Sequence, residues 1–577
     1  MEFPHFIQAP PVLGNQYAED RPLRSLLRRI LPPEVLSAIE GELWEMGDLA
    51  GGELYAMQLE DRLREPTLTQ WSAWGERIDR IEVTPLWKRC AEIAPRYGLV
   101  AAAYEARFGE WARLHQFALN YLFGPSSDVY TCPLAMTDGA ARTLIASQNQ
   151  ALIERALPRL TSRDPRRFWT SGQWMTERIG GSDVSQLETV AIPQSDGSYK
   201  LYGKKWFCSA ITSDIALVLA RPQGNPQGSK GLALFYIETR DANGKLRAIE
   251  IDRLKDKLGT RKLPTAELSL KGVPAIPVRG TSDGVRVIAP MLNITRTWNA
   301  VMSVAFMRRG IVLARDYARK RVAFSSPLSQ KPLHLQTLAE ISAQTEAMLH
   351  LAFESVAILG RLENGSAQVN DEPLFRMLTP IVKLLTAKSA LSAITEVLEC
   401  FGGAGYIEDT GIPGLLRDVQ VLPLWEGTTN VLSLDLIRAL RSSEDHLLLW
   451  RYADSIARHI QDAELAALAK SALRAMENAL AWAHAQGNAS LLEASARRLA
   501  MTLGRSFAMV LFARHADWSL THEKDPRSKA NALIFGESSF DFAPSASGSL
   551  LPLAALDGPP EQALPADAHS AANNSKE

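Results

Sequence analysis

The distribution of hydrophobic and polar residues divides the chain into helical and strand-like regions. In residues 1–165 apolar positions mostly recur at helical spacing, as in 33–48 and 105–123, and Pro and Gly separate the segments. From about 170 to 285 short β-branched or aromatic runs alternate with Gly, Asn and Pro turns, which is the pattern of strands in a compact sheet or barrel. These runs are YKLYGKKWFCS, IALVLARP, GLALFYIET and AELSLKGV.

The helical pattern returns after the strands. Between about 286 and 440 apolar residues such as Leu335, Leu338 and Ile341 recur at helical spacing, and long helices joined by short loops predict a bundle. Another amphipathic helical block follows, and after it the chain is rich in Ser, Pro, Ala and Gly. We therefore predict an N-terminal mostly helical domain over 1–168, a middle β domain over 169–285, a C-terminal helical bundle over 286–445, an additional helical domain over 446–538 and a disordered tail over 539–577.

Composition and charge exclude some classes of partner. The chain has 577 residues, which at about 150 residues per domain suggests three or four domains. Its 63 Lys and Arg balance 64 Asp and Glu to a net charge of −1, so neither a strongly basic nucleic-acid arm nor an acidic solvating tail is expected. A hydrophobic content of 46% is that of an ordinary globular protein.

The spacing of the cysteines and the sequence of the first residues indicate the cellular compartment in which the protein is expected. Cys90, Cys132, Cys208 and Cys400 are far apart and form no CxxC, so we expect neither a disulfide framework nor a metal site. The first ten residues lack the basic and apolar regions of a signal peptide, and no apolar run approaches 18 residues, so we expect neither a signal peptide nor a membrane-spanning helix. We expect a cytoplasmic protein, with mitochondrial or peroxisomal location as alternatives. The basic amphipathic stretch 21–31 predicts a surface helix rather than a transit peptide.

The segment 173–183 carries the first candidate chemistry. Gly180 and Gly181 allow backbone to approach a ligand closely, and Thr176 and Ser182 supply hydroxyl donors, which together suit a diphosphate. A tight turn would use the same residues.

Two further segments suit a nucleotide-containing ligand. Trp206 stands beside small polar residues at the end of a strand-like run and suits the wall of a flat ring, although a buried strand aromatic is the alternative. Arg321 and Phe324 precede a helix start and suit a phosphate and an adenine, the alternative being a loop with a surface Arg.

A carboxylate in apolar company is the candidate catalytic group. Glu426 follows the run Val421-Leu-Pro-Leu-Trp425, and a carboxylate among apolar residues is costly unless it is functional or paired. A solvated loop is the alternative for an isolated Glu.

Taken together, these segments resemble the acyl-CoA dehydrogenase family of flavoproteins over roughly residues 125–440. Six motifs occur in family order, and a match of this kind is highly specific. The long N-terminal region, the stretch 131–140 and the helical block after 446 are similar to the AidB-like (adaptive response) branch. The six motifs cover 176–183, 205–206, 257–268, 321–324, 401–406 and 425–428.

The resemblance implies a fold, a cofactor and a reaction. The fold would be α+β and multidomain, with an N-terminal helical domain, a middle β-barrel, a C-terminal four-helix bundle and here an additional helical block, assembled as a homotetramer. FAD would lie between barrel and bundle. Glu426 would abstract the α-proton of an acyl-CoA thioester, with β-hydride transfer to flavin N5, in fatty acid metabolism. The electron acceptor is left open.

Site residues are carried over from the motifs by position. Glu426 would be the base, and Arg296 would lie near the substrate. Cys208 stands where many family members have the Thr that bonds flavin N5, and Ser209 is the alternative donor. The FAD contacts would be Met175, Thr176, Gly181, Ser182, Trp206, Phe207, Cys208, Ser209, Gly402, Gly403, Gly427, Thr428 and Asn430, with Arg321 and Phe324 reaching the FAD of a neighbouring subunit.

Two other functions are kept as alternatives. One is an AidB-type DNA-associated flavoprotein with weak dehydrogenase activity, which the residues 441–540 disfavour because Lys and Arg exceed Asp and Glu by only about one. The other is an acyl-CoA oxidase, which would pass electrons to O2 on the same scaffold.

Overall fold

The computed structural model describes residues 8–545 together with 551, 554 and 555. Helices precede and follow a central set of strands. The helices are α1 Arg21–Ile30, α2 Pro33–Gly51, α3 Glu53–Glu60, α4 Pro85–Arg96, α5 Ala112–Phe123, α6 Thr131–Ser147, α7 Gln150–Leu160, α8 Gly284–Val287, α9 Ala289–Lys320, α10 Pro332–Glu363, α11 Asp371–Cys400, α12 Ile412–Val419, α13 Thr429–Ser442, α14 Leu448–Ala457, α15 Ala463–Ala485, α16 Ala489–Trp518 and α17 Arg527–Gly536.

Most strands lie in the middle of the chain. Four of them, β5, β6, β7 and β9, coincide with or overlap the runs predicted from sequence. The strands are β1 Thr67–Trp71, β2 Arg77–Glu82, β3 Ser171–Trp174, β4 Val190–Pro193, β5 Tyr199–Ser209, β6 Ile215–Pro222, β7 Ala233–Glu238, β8 Ile249–Leu254, β9 Thr265–Pro277, β10 Val322–Ala323 and β11 Ser326–Pro327.

The N-terminal region is helical for local reasons that the sequence shows. Asp20 caps α1 by accepting a hydrogen bond from the backbone N–H of Leu23, and α1 buries Leu23, Leu26 and Leu27 while Arg28 is exposed on the opposite side. The predicted surface helix at 21–31 is therefore confirmed.

Two N-terminal expectations are corrected. The helix predicted over 105–123 begins only at Ala112, because Gly109 takes a left-handed φ of 51° in the turn before it. Strands β1 and β2 form an antiparallel hairpin within the region expected to be helical. Their alternating residues pack Leu68 and Ile81 against the barrel core, which a period of two permits and a helix would not.

The middle strands close into a barrel. The order β3-β6-β4-β5-β9-β7 is completed by pairing between β6 and β7, and β8 pairs with β9. Side chains such as Leu201, Val218, Phe235 and Leu268 fill its core. The predicted order of a helical domain, a β-barrel and a helical C-terminal region is confirmed.

The described part of the chain separates into two compact units. The first comprises residues within Met1–Asp371 and Thr386–Thr428, and the second those within Glu372–Leu385 and Thr429–Glu577. In the second unit α16 packs against α13, α14, α15 and α17, and Gly504 of α16 lies close to Ile381 and Leu385. This division places α13 with the additional helices, whereas the sequence placed residues up to 445 with the bundle.

The predicted tail begins within ordered structure. Phe540 is buried near Phe535, and the backbone N–H of Ser545 donates to Ser495. The prediction of disorder from 539 therefore does not fit residues 539–545. Apart from residues 551, 554 and 555, the remainder of that prediction lies outside the described residues. Over the described range, no helix combines the length and hydrophobicity needed to cross a membrane.

Candidate active site

Glu426 lies in the short link between α12 and α13, and its backbone is left-handed. Its φ is 55°, and Gly427 follows with a φ of 100°. A non-glycine residue rarely takes such a φ, and in native proteins it often does so at functional positions. The residue is half-buried, so its carboxylate is neither in the core nor fully solvated. The solvated-loop alternative does not describe this environment.

Two adjacent residues of α9 hold Glu426. The hydroxyl of Thr295 donates to Oε2 of Glu426 at 2.7 Å, and Nε of Arg296 donates to its backbone carbonyl at 3.2 Å. Arg296, expected near the substrate, therefore lies beside the candidate base. Thr295 was not predicted, because its only sequence signal is adjacency to Arg296, and the contact spans 131 positions.

A buried cysteine, Cys132, lies within electrostatic range of this carboxylate and also of Lys257. Burial, opposed by Lys257 and reinforced by Glu426, raises the pKa of Cys132 to about 12, so Cys132 is a neutral thiol. Lys257 donates to the carbonyl of Leu263 and the hydroxyl of Thr265, each at 2.9 Å. Burial lowers the pKa of Lys257 to about 8. Neither residue was assigned a role from sequence.

The glycine-containing turn is fixed by a buried ion pair. Glu177 accepts from Nζ of Lys205 at 2.6 Å and from the backbone N–H of Glu188 at 2.7 Å. Burial alone would raise the pKa of Glu177, but Lys205, Thr189 and that backbone N–H together lower it. The pair joins the turn to β5, and the sequence analysis did not identify it.

The turn itself is closely packed on one side and open on the other. A Cβ at Gly181 would lie 2.7 Å from the hydroxyl of Thr176, whereas a Cβ at Gly180 would meet nothing within 4 Å. Met175 and Thr176 are half-buried, and Ser182 is exposed. The Oε1 of Gln173 is buried without a hydrogen-bond partner, although Nε2 contacts the sulfur of Met175. These groups leave donors and an unsatisfied acceptor on one side of the barrel.

A bulge in β5 decides which residues face outward. The register with β9 shifts between Lys205 and Cys208, so Trp206 and Phe207 are both partly or largely exposed while Cys208 lies in the barrel core. The expectation that the Cys208 side chain faces a ring is therefore corrected. Ser209, the next residue, is half-buried rather than in the core, and its hydroxyl lies 3.0 Å from that of Thr265. Ser209 is therefore the residue whose hydroxyl can face a ligand on this surface.

A cation lies over the predicted ring wall. Nζ of Lys255 is 3.5 Å from the centroid of Trp206, and the guanidinium of Arg178 is 5.7 Å away. Lys255 also contacts Glu267 at 2.7 Å. The backbone N–H of Trp206 donates to the carbonyl of Thr176 at 2.9 Å, so the strand and the turn form one surface.

The remaining predicted residues lie in other parts of the fold. Arg321 follows the last residue of α9, and Phe324 is 93% exposed in the hairpin after it. Gly402 and Gly403 follow α11, where Gly402 has a φ of 57°. Gly427 and Thr428 are half-buried after Glu426, and Asn430 is exposed in the first turn of α13.

Comparison with family models covers most of the chain. Residues 282–441 match "Acyl-CoA dehydrogenase, C-terminal domain", and residues 172–273 match "Acyl-CoA dehydrogenase, middle domain". Residues 8–165 match "Adaptive response protein AidB N-terminal domain".

Individual relatives agree with these matches. The chain is 41% identical over 544 residues to acyl-CoA dehydrogenase family member 11 of Caenorhabditis elegans, covering 90% of this chain and 87% of that protein. It is 32% identical to the putative acyl-CoA dehydrogenase AidB of Escherichia coli, covering 65% and 69%. The crystal structure of C. elegans ACDH-11 in complex with C11-CoA is similar at 38% identity and a TM-score of 0.90, covering 94% of each chain. The chain therefore belongs to the acyl-CoA dehydrogenase family, in its AidB-like branch.

Proposed function

We propose that this protein is an FAD-dependent acyl-CoA dehydrogenase in which Glu426 removes the α-proton of an acyl thioester. The observation that carries the proposal is the position of Glu426, a half-buried carboxylate held by Thr295 and Arg296 within a family motif. The complex of ACDH-11 with C11-CoA supports an acyl-CoA as the substrate class.

The contacts of Glu426 suit a general base. The hydroxyl of Thr295 donates to Oε2 of Glu426 at 2.7 Å, and this hydrogen bond helps to fix the orientation of the carboxylate that would accept the proton. Arg296 holds the backbone carbonyl, which limits movement of the left-handed residue. The neutral Cys132 nearby adds no competing charge. The base is thus oriented before the substrate arrives.

The barrel surface suits a flavin. Thr176, Ser182 and Ser209 offer hydroxyls, Trp206 and Phe207 offer exposed aromatic surface, and Gln173 offers an unsatisfied buried acceptor. Bound FAD would supply the hydride acceptor for the β-carbon. We propose that Ser209 takes the hydroxyl role that many family members give to the residue at position 208, because the Cys208 side chain points into the core.

The exposed residues suit an oligomer that shares cofactors. Phe324 is 93% exposed at a φ of 48°, and Tyr406 is 87% exposed. Aromatic side chains this exposed are common at recognition surfaces. We propose that Arg321 and Phe324 contact the FAD of a neighbouring subunit in a homotetramer.

The test compares Glu426→Gln with wild type. The amide keeps the shape and accepts from Thr295 but is not a base, so flavin content should be unchanged while anaerobic bleaching by acyl-CoA slows about 100-fold or more. Glu340→Gln, an exposed glutamate of α10, is the matched control and should bleach like wild type. Bleaching of Glu426→Gln at the wild-type rate would refute the assignment. Rapid reoxidation of the bleached protein by air would favour the oxidase alternative.

A further inference from the structure

A cavity in the first unit is lined in part by Lys257, but by none of the residues proposed to act in catalysis or to contact the flavin. Its volume is about 450 Å³, within the range of small-molecule sites. Its walls come from α3, from the loop after β8, from the middle of α9 and from α12 with the residues before it. Glu426, Thr295, Trp206 and Thr176 do not line it.

Most charged groups around the cavity are paired with one another. The pairs are Arg261 with Glu65, Arg417 with Glu408, Arg62 with Asp409 and Lys262 with Asp128. These ion pairs neutralise the charges around the rim. Two cations in the wall, Arg309 and Lys257, have no ion-pairing carboxylate among the described residues.

Arg309 is the more unusual of the two cations. It is 2% exposed, its Nη2 donates to the hydroxyl of Ser126 at 2.6 Å, and its guanidinium lies 5.1 Å from the ring centroid of Tyr55. Its Nε is buried without a partner. A buried charge without a counter-charge is costly, so an anion that entered the cavity would be favoured there.

The rest of the wall is largely apolar. Leu59, Phe306, Leu313, Ile412 and Leu415 line it. Leu63 and Leu258 also line it and are each 66% exposed, so apolar surface continues to the rim. A polar metabolite would leave this surface uncovered, whereas a hydrocarbon chain would cover it.

One acid opposes an anion in this cavity. Asp418 is half-buried in the wall and accepts from the backbone N–H of Thr260 at 2.6 Å. Burial raises the pKa of Asp418, and the positive charge of Lys257 partly opposes this rise. Lys257 already donates to the carbonyl of Leu263 and the hydroxyl of Thr265, whereas the Nε of Arg309 is buried without a hydrogen-bond partner. The head of an anionic ligand is therefore expected at Arg309 rather than at Lys257.

We propose that this cavity is a second ligand site, which binds an amphiphile with a carboxylate head at Arg309 and a medium-length hydrocarbon tail along the apolar wall. A guanidinium suits a carboxylate because its planar donors match the two oxygens. The site is separate from the proposed catalytic site and does not depend on that function.

The test is titration calorimetry of the holoenzyme with decanoate while decanoyl-CoA saturates the active site. One decanoate should still bind per chain, and decanamide, which has the same tail and no charge, should bind about tenfold more weakly or worse. Decanoate that fails to bind, or that decanoyl-CoA displaces completely, would overturn the proposal.

Variants locate the site. Arg309→Met should weaken decanoate binding about tenfold or more, whereas Arg319→Met, an exposed arginine of the same helix, should not change it. Leu63→Asp places a repelling charge at the exposed rim without touching the core, and it should weaken binding even if Arg309→Met does not fold. Equal affinity in wild type and Leu63→Asp, or in wild type and a folded Arg309→Met, contradicts the assignment.

Discussion

Two buried cations of the first unit differ in how their charge is compensated. Lys205, 1% exposed, contacts the Glu177 carboxylate at 2.6 Å and the carbonyl of Leu219 at 2.8 Å. Arg309, 2% exposed, donates to the hydroxyl of Ser126 and the carbonyl of Pro125 and lies over the ring of Tyr55, and it has no ion-pairing carboxylate among the described residues. Both charged groups are removed from water on folding, but only Lys205 gains an ion-pairing carboxylate from the chain.

The difference indicates that Lys205 has a structural role, whereas Arg309 is available to bind an anion. The ion pair between Lys205 and Glu177 connects the glycine-containing turn to β5. Because Glu177 compensates the charge of Lys205, the pair stabilises the proposed flavin surface without binding a ligand itself. Burial lowers the pKa of Arg309 to about 10, and Tyr55 only partly opposes this. At neutral pH Arg309 therefore remains charged in an environment that disfavours its charge.

The largest effect is expected from breaking the paired charge. Glu177→Gln leaves Lys205 buried without a counter-ion, which should cost about 3–5 kcal/mol and lower the flavin content because the turn loosens. Thermal unfolding of the holoenzyme and the flavin released on denaturation measure both. Glu188→Gln, an exposed neighbour, is the control. A Glu177→Gln protein as stable as this control would show that the pair is not structural.

Asp418, a half-buried acid, allows the same comparison for a negatively charged group. Burial, against hydrogen bonding from Thr260, raises the pKa of Asp418 to about 6. The folded state therefore holds this proton more tightly than the unfolded state, whose pKa is about 4, so the neutral form stabilises the fold below pH 4 and that contribution is lost as pH rises through 6. Above pH 6 the loss amounts to about 3 kcal/mol.

Asp418→Asn should remove this dependence. The amide oxygen still accepts from Thr260 and carries no charge, so the unfolding temperature of the variant should rise relative to wild type between pH 4 and pH 7. Asp409→Asn, at an 83% exposed side chain, should run parallel to wild type. Parallel curves for Asp418→Asn as well would show that Asp418 titrates normally.

The smallest effect concerns the unpaired cation and has the opposite sign to Glu177→Gln. Replacing Arg309 by Met removes an uncompensated charge and fills the same volume with apolar atoms, so the ligand-free protein should be about 1 kcal/mol more stable. Denaturant unfolding of Arg309→Met and of Arg319→Met gives the comparison. A loss of several kcal/mol in Arg309→Met would mean that the guanidinium is compensated after all.

The sequence predicted the fold where local pattern decides it. Strands such as β5 and β6 have β-branched and aromatic runs with turn residues on both sides, and their bounds match the predicted runs. The hairpin of β1 and β2 was missed because its strands are short and polar, and they are stabilised by packing against the barrel rather than by their own hydrophobicity.

The residue types of the candidate site could be predicted from the sequence, but the directions in which their side chains point could not always be predicted. Glu426 stood out because apolar residues precede it. The position of Cys208 depends on a bulge in β5, which shifts side chains to the other face and which no local pattern announces. Thr295 and Arg309 depend on tertiary neighbours, Glu426 in one case and Ser126 in the other, that are distant in sequence.

Because the guanidinium of Arg309 lacks an ion-pairing carboxylate, the stability of the folded protein should depend on the concentration of any anion that binds there. Any anion that binds the native cavity and not the unfolded chain adds RT ln(1 + [L]/Kd) to the stability, about 2.7 kcal/mol at a hundredfold excess over Kd. The protein would then be more resistant to proteolysis and heat when carboxylate amphiphiles are abundant than when they are scarce. Its abundance in a cell would follow the supply of such compounds without any change in its synthesis.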